Sequence, residues 1–233
     1  MSRNNGSFVT PENEAVAEIV MKKSRFIGNI VPVKSVNEAE EALDLIRLEH
    51  KTATHNCYAY TVGLGVPVER FSDDGEPSGT AGRPILEVLR RREVSNVLVV
   101  VTRYFGGTLL GASGLIHAYT DATVAAVDES SLLSCELLSK IQVECDYGQF
   151  GKLEYELTQL GYRILEREFA EVVRLSIWSR LPDVESMVTK IGDWSSGQAV
   201  VNVLPPEYVG VRADGEFVYG VWPNDNSPSN SEG

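Results

Sequence analysis

Apolar and polar positions alternate over Ala15–Met21 and again over Ser24–Val33, which predicts two strands with Lys22 and Lys23 at the turn between them. The period then changes. Val36, Ala39, Leu43 and Ile46 recur at helical spacing behind Ser35, and Glu38 follows that serine by three as in a capping box. A helix to about Glu49 is predicted. Asn56–Val62 alternates and is rich in Tyr and Thr, which favours a strand, with Val66–Phe71 as its hairpin arm. Ser72–Gly82, carrying Gly75, Pro77, Gly79 and Gly82, reads as a loop. Pro84 suits a first helical turn, and Ile85, Leu86, Val88 and Leu89 continue a short helix into Arg90, Arg91 and Arg92. Val97–Tyr104 is an apolar, β-branched run, the mark of a strand covered on both faces. Gly106, Gly107, Gly111 and Gly114 punctuate a second loop. Leu115–Val127 then reads as a helix with Leu115, Ala118, Ala122 and Ala125/Ala126 on its buried side.

A second unit opens near Glu136. Its predicted order is strand (Leu137–Cys145), helix (Phe150–Leu160), strand (Tyr162–Phe169), strand (Glu171–Ser179), helix (Val184–Ile191), strand (Gln198–Leu204). That is βαββαβ, the split βαβ pattern. Beyond Pro205-Pro206, Asp214-Gly215 is placed to turn a hairpin between Tyr208–Val211 and Glu216–Tyr219. The Ser/Asn/Pro-rich stretch Pro223–Gly233 reads as a disordered tail. The expected organisation is α+β, with domains at 14–135 and 136–206 and an extension over 207–233.

Composition is that of an ordinary globular chain, 43% apolar and 23% charged, which excludes a disordered or collagen-like protein. The longest apolar run, Val97–Val101, is far too short for a membrane span, and Met1–Glu14 is polar with no secretory signal visible. Cys57, Cys135 and Cys145 are an odd, sparse set, so a reducing cytoplasm is expected rather than a disulfide framework. The net charge of −12 argues against sequence-independent coating of nucleic acid, and no DNA partner is expected. It leaves room for docking through one local basic patch.

The candidate chemistry lies in the two glycine-rich loops. The first feeds a helix whose N-terminus offers free N–H groups, with Ser78, Thr80 and Arg83 as further donors for an anion. Its acids Asp73, Asp74 and Glu76 could instead face Mg²⁺ or a basic partner, or simply cap turns. The second loop has the order strand, glycine loop, helix, which can build a phosphate cradle. The Walker spacing fails because Ala112 stands where its lysine belongs, and the dinucleotide fingerprint fails too. Arg103, at the end of the apolar strand, must reach water or an acid. Asp73 or Asp74 is a plausible mate.

Other residues are weaker. His55 and Cys57 share a strand face, yet the zinc-deaminase pattern is unmet and no metal or cofactor is assigned. His117 has no evident proton-transfer role, and catalytic residues stay unassigned. Tyr58 and Tyr60 share the opposite face, where they could stack bases if it is open, or hydrogen-bond at its rim if it is covered. Lys22, Lys23 and Arg25 mark a basic hairpin end.

The stretches SDDGEPSGTAGRPIL and NVLVVVTRYFGGTLLGASGLIHAY, with KKSRFIGNIVPV and HNCYAY before them, resemble the IMPACT/YigZ family. The likeness covers about Val16–Val127 as the family's N-terminal domain, and 138–204 looks like its smaller C-terminal domain. It implies a first domain with the βαβ fold shared by a small-subunit ribosomal protein and elongation factor G domain IV. The second would be ferredoxin-like, similar to domain V of that factor. The motif residues that the resemblance offers for binding are Asp73, Asp74, Gly75, Glu76, Pro77, Gly79, Thr80, Gly82, Arg83, Thr102, Arg103, Tyr104, Gly106, Gly107, Gly111 and Gly114. Eukaryotic members are similar to regulators of a starvation-sensing translational kinase and carry an extra RWD domain, which is not expected ahead of the first strand here. The resemblance therefore implies a non-catalytic binding protein linked to translation, with the ribosome, structured RNA or a translation-associated protein as partner. The alternative is an enzyme that holds a nucleotide or another small phosphorylated substrate at the glycine loops.

Overall fold

The computed structural model of the protein describes residues 7–222. The tail expected at 223–233 lies outside them. The chain forms two compact units, one built from residues 7–135 with 210–222 and one from 136–209.

The first unit holds an antiparallel sheet in the order β2-β3-β6-β4-β5, where β2 is Ala15–Met21, β3 Ser24–Pro32, β4 His55–Val62, β5 Val68–Ser72 and β6 Val97–Tyr104. Strand β6 lies at its centre, and the unbroken apolar run has the reason expected of it. Val97, Val99 and Val101 face the cluster beneath α2 (Gly82–Arg91) and α3 (Gly111–Glu129). Leu98 and Val100 face the cluster beneath α1 (Val36–Glu49). Helix α1 starts at Ser35, whose hydroxyl accepts from the Glu38 N–H at 3.1 Å. Glu38 reaches back to the N–H of Lys34 at 2.8 Å, one residue earlier than a standard capping box. Helix α3 begins at Gly111, four residues before the apolar periodicity would start it. It lies so close to β3 that a Cβ on Gly28 would sit 2.7 Å from the Ala122 carbonyl oxygen.

Strand β1 (Phe8–Pro11) was not foreseen. It pairs Phe8 with Cys135 and Pro11 with Leu132 on β7 (Leu132–Cys145), and Phe8 sets its ring edge-on to Trp222 at 5.8 Å. The expected hairpin forms as β11 (Glu207–Val211) and β12 (Phe217–Val218), with Gly215 at φ +84° in its turn. Arg212 on this return segment forks onto Glu12 at 2.5 and 2.9 Å and also bonds Glu216 at 2.9 Å. Hydrogen bonding from Arg212 holds the Glu12 carboxyl below its ordinary range. A carboxyl lowered in the folded state contributes stability above its unfolded value, about 4.3, and loses it as pH falls through the folded value. Wild type is therefore more stable to urea than Glu12→Gln at neutral pH, and the gap closes as pH falls through the folded-state value. A gap that persists in acid would assign the effect to shape rather than charge.

The second unit places β7, α4 (Tyr147–Gln159), β8 (Ile164–Phe169), β9 (Val173–Arg180), α5 (Val184–Trp194) and β10 (Val200–Val203) in the βαββαβ order the sequence predicts. Its strands pair antiparallel as β10-β7-β9-β8. Asp146 and Gln149 form a complete capping box on α4. Ile141, Leu153, Leu157, Ile177 and Ile191 are fully buried between sheet and helices.

Candidate functional site

One end of the first sheet collects nearly every residue singled out by the sequence. The β2–β3 turn, the end of β6, the start of β4, the loop after β5 and the N-termini of α2 and α3 all lie there. Glu76 ties the first glycine-rich loop to β6 and α3, the elements that flank the second. Its Oε1 accepts from Arg103 Nη1 at 2.6 Å and from the Tyr119 hydroxyl at 2.7 Å. Both partners of the ion pair are buried, with side-chain exposures of 7% for Arg103 and 3% for Glu76. Arg103 lies between two rings, 5.4 Å from the Phe26 centroid and 5.6 Å from that of Phe105. Its Nε finds no acceptor among the described residues.

Arg103 does need an acid, but the mate is Glu76, not Asp73 or Asp74. Those two are engaged elsewhere. The Asp73 carboxylate accepts from the backbone N–H groups of Gly79 at 2.8 Å, Ala81 at 3.0 Å and Gly82 at 2.9 Å. It thus fills the anion seat at the head of α2 that the sequence offered to a ligand. Asp74 accepts from the Asn56 N–H at 2.6 Å, and its carbonyl accepts from His55 Nδ1–H at 2.7 Å. Nε2 of His55 lies 3.9 Å from Glu76 Oε2. Thr80 donates to the Pro77 carbonyl at 2.6 Å, and Thr102 donates to the Asn56 side chain at 2.8 Å.

Cys57 lies in the same network. Its thiol donates to the Asp73 carbonyl at 3.0 Å and sits 3.3 Å from the Tyr119 hydroxyl. Burial pushes this thiol up to about 12 and raises the Tyr119 phenol as well, so neither supplies an anion near neutral pH. The sequence reading passed over Tyr119. The available signal was size, a single aromatic among Ala118, Ala122 and Ala126 on the buried side of α3.

Over β4 and β6 the other face of the sheet is covered by α1. Tyr60 is 1% exposed beneath α1, so base stacking is not open to it. Tyr58 is half-buried, stacked on Tyr60 at 6.2 Å with Arg47 over its ring. Tyr104 bonds His50 at 3.0 Å and lies under Arg25, which is itself forked onto Glu18 at 2.8 Å.

What reaches solvent at this end is different in kind. Lys22 and Lys23 are exposed and form a two-residue turn with φ of +46° and +68°. This backbone is that of a type I′ turn, which prefers Asn-Gly. Each lysine pays about 1–2 kcal/mol to adopt it. Neither makes an ion pair among the described residues, nor does the exposed Arg83. Gly106 packs against the lysine turn, its N–H donating to Ser24 Oγ at 3.1 Å. Gly107 and Gly111 are exposed at φ +81° and +75°. They lead into α3, whose N-cap Leu110 makes no side-chain bond and whose first turn carries no acid.

Comparison with known proteins gives this geometry a family. Residues 22–127 match the Impact N-terminal domain and residues 143–198 match a domain of unknown function, DUF1949. The IMPACT family member YvyE of Bacillus subtilis is 39% identical over 172 residues, covering 74% of this chain and 79% of its own. The chain belongs to the IMPACT family. YigZ, the IMPACT family member of Escherichia coli, is 32% identical over 82% of this chain and 95% of its own. A crystal structure described as that of a hypothetical protein superposes with a TM-score of 0.55 at 31% identity, covering 87% of this chain and 98% of that one. The two family domains fall on the two units: the glycine loops, Glu76, Arg103 and the lysine turn lie in the first, and the βαββαβ sheet in the second.

Proposed function

We propose that this IMPACT-family protein is a non-catalytic binding protein of the translation apparatus. It docks by its lysine-bearing end onto phosphates of structured RNA, foremost in the ribosome. One observation carries the reading. The groups able to do chemistry are bonded to one another inside the first unit, while unpaired cations and the uncapped start of α3 stand outside at the same end. The buried clamp fixes the loops, and the fixed loops present Lys22, Lys23 and the amides of α3 as a preformed phosphate-facing surface. The chain's charge of −12 disfavours such contact over the surface as a whole.

Lys22→Asn combined with Lys23→Gly tests it cleanly, because Asn-Gly suits the turn and removes both charges. The double variant is expected to unfold at equal or higher urea while losing ribosome co-sedimentation. Its binding should also fall less steeply with salt, by about two in the log–log slope. Absence of any co-sedimentation by wild type at about 50 mM salt, or association indifferent to both salt and the double change, refutes the proposal.

A further inference from the structure

On the sheet face opposite the glycine loops, α1 lies over β6 and β4, and an open trough of about 330 Å³ runs between α1 and β2, with β3 beneath it. Its floor is the outward side of β3, Ile27, Asn29 and Val31. One wall is Val16 of β2, and the other is Ala42, Leu45 and Ile46 of α1. Leu45 is 68% exposed and Val16 58% exposed. Lone exposed apolar residues mean little, but exposed apolar side chains on both walls of one trough mark a contact surface.

The occupant can be specified. Strand β3 is already paired on both edges, with β2 and with β6, so no strand can add to the floor by backbone bonding. A helix satisfies its own backbone and needs only side-chain contact. From Ile27 to Val31 the floor runs about 13 Å at strand rise, a little over two helical turns, enough for anchors at i, i+3 or i+4, and i+7. Glu14 and Glu49 stand on opposite sides of the trough, and neither makes an ion pair among the described residues.

From these features we infer that the trough between α1 and β2–β3 is a docking groove for an amphipathic helix of another protein, with basic residues flanking its apolar stripe. The inference does not depend on the function proposed for the lysine-bearing end.

The test uses the full chain and three labelled synthetic helices of about 14 residues. Two share one leucine stripe, with Lys/Arg flanks in the first and Glu flanks in the second. The third keeps the basic flanks and replaces the stripe with serine. The first is expected to bind by fluorescence anisotropy and to shift the amide resonances of Val16, Ile27, Asn29 and Leu45. Leu45→Asp and Val16→Asp, at positions already exposed, should weaken it at least about tenfold while leaving the urea midpoint in place. Glu14→Lys with Glu49→Lys should move the preference to the acid-flanked helix. Three results would overturn the inference: equal binding of all three helices, resonance shifts elsewhere, or a dimer of this chain that Leu45→Asp dissolves.

Discussion

Glu76→Ala is expected to lower the unfolding free energy of the first unit by about 3–5 kcal/mol. Removing the carboxylate leaves Arg103 with its charge inside the domain, between Phe26 and Phe105, and strips the Tyr119 hydroxyl of its acceptor. Water cannot make good the loss, because Arg103 is only 5% exposed. The penalty comes from the stranded charge more than from the missing bond. Replacing both partners by apolar side chains, Glu76→Leu with Arg103→Met, should therefore recover most of the stability that either single change loses. Urea denaturation of the four proteins measures the cycle. A Glu76→Ala variant within about 1 kcal/mol of wild type would mean that the pair behaves as a solvated one and that the loops are not clamped by it.

Gly106→Ala should cost about 1–3 kcal/mol or somewhat more, for a steric reason. A Cβ at Gly106 would sit 2.0 Å from the Lys23 carbonyl carbon and 2.4 Å from the Ser24 nitrogen. Both are backbone atoms, and neither can rotate aside. Either the β2–β3 turn or the loop after β6 must move, which breaks the bond from the Gly106 N–H to Ser24. Gly107→Ala is the control: nothing lies within 4 Å of its built Cβ, and its φ of +81° charges only the left-handed conformation, about 1 kcal/mol. The first variant should lose ribosome co-sedimentation along with stability, because it displaces the lysine turn. Equal costs at the two positions would rule out the packing argument.

Most elements of both units were legible because their periods are clean. The β-branched run of β6, the capping serine of α1 and the βαββαβ order each report a burial pattern that local sequence must encode. Three features were not legible, for distinct reasons. Strand β1 has four residues in a polar stretch and is held by far-off partners, the start of β7 and the Val94–Ser95 backbone. Helix α3 opens on Gly111 and Gly114, residues that read as loop until tertiary packing fixes them. Within the candidate site, spacing brought Arg103 and the acids of the first loop to one place but did not say which acid would turn inward. The choice of Glu76 follows from the Asp73 carboxylate being consumed by three backbone amides and that of Asp74 by the Asn56 amide.

The capture of the α2 amides by Asp73 has a thermodynamic corollary. A carboxylate tethered six to nine residues from the amides it bonds is a built-in competitor, present at an effective concentration of roughly millimolar or above. Any free phosphate compound approaching that helix must displace it, and at the micromolar abundance of many metabolites the tethered rival prevails.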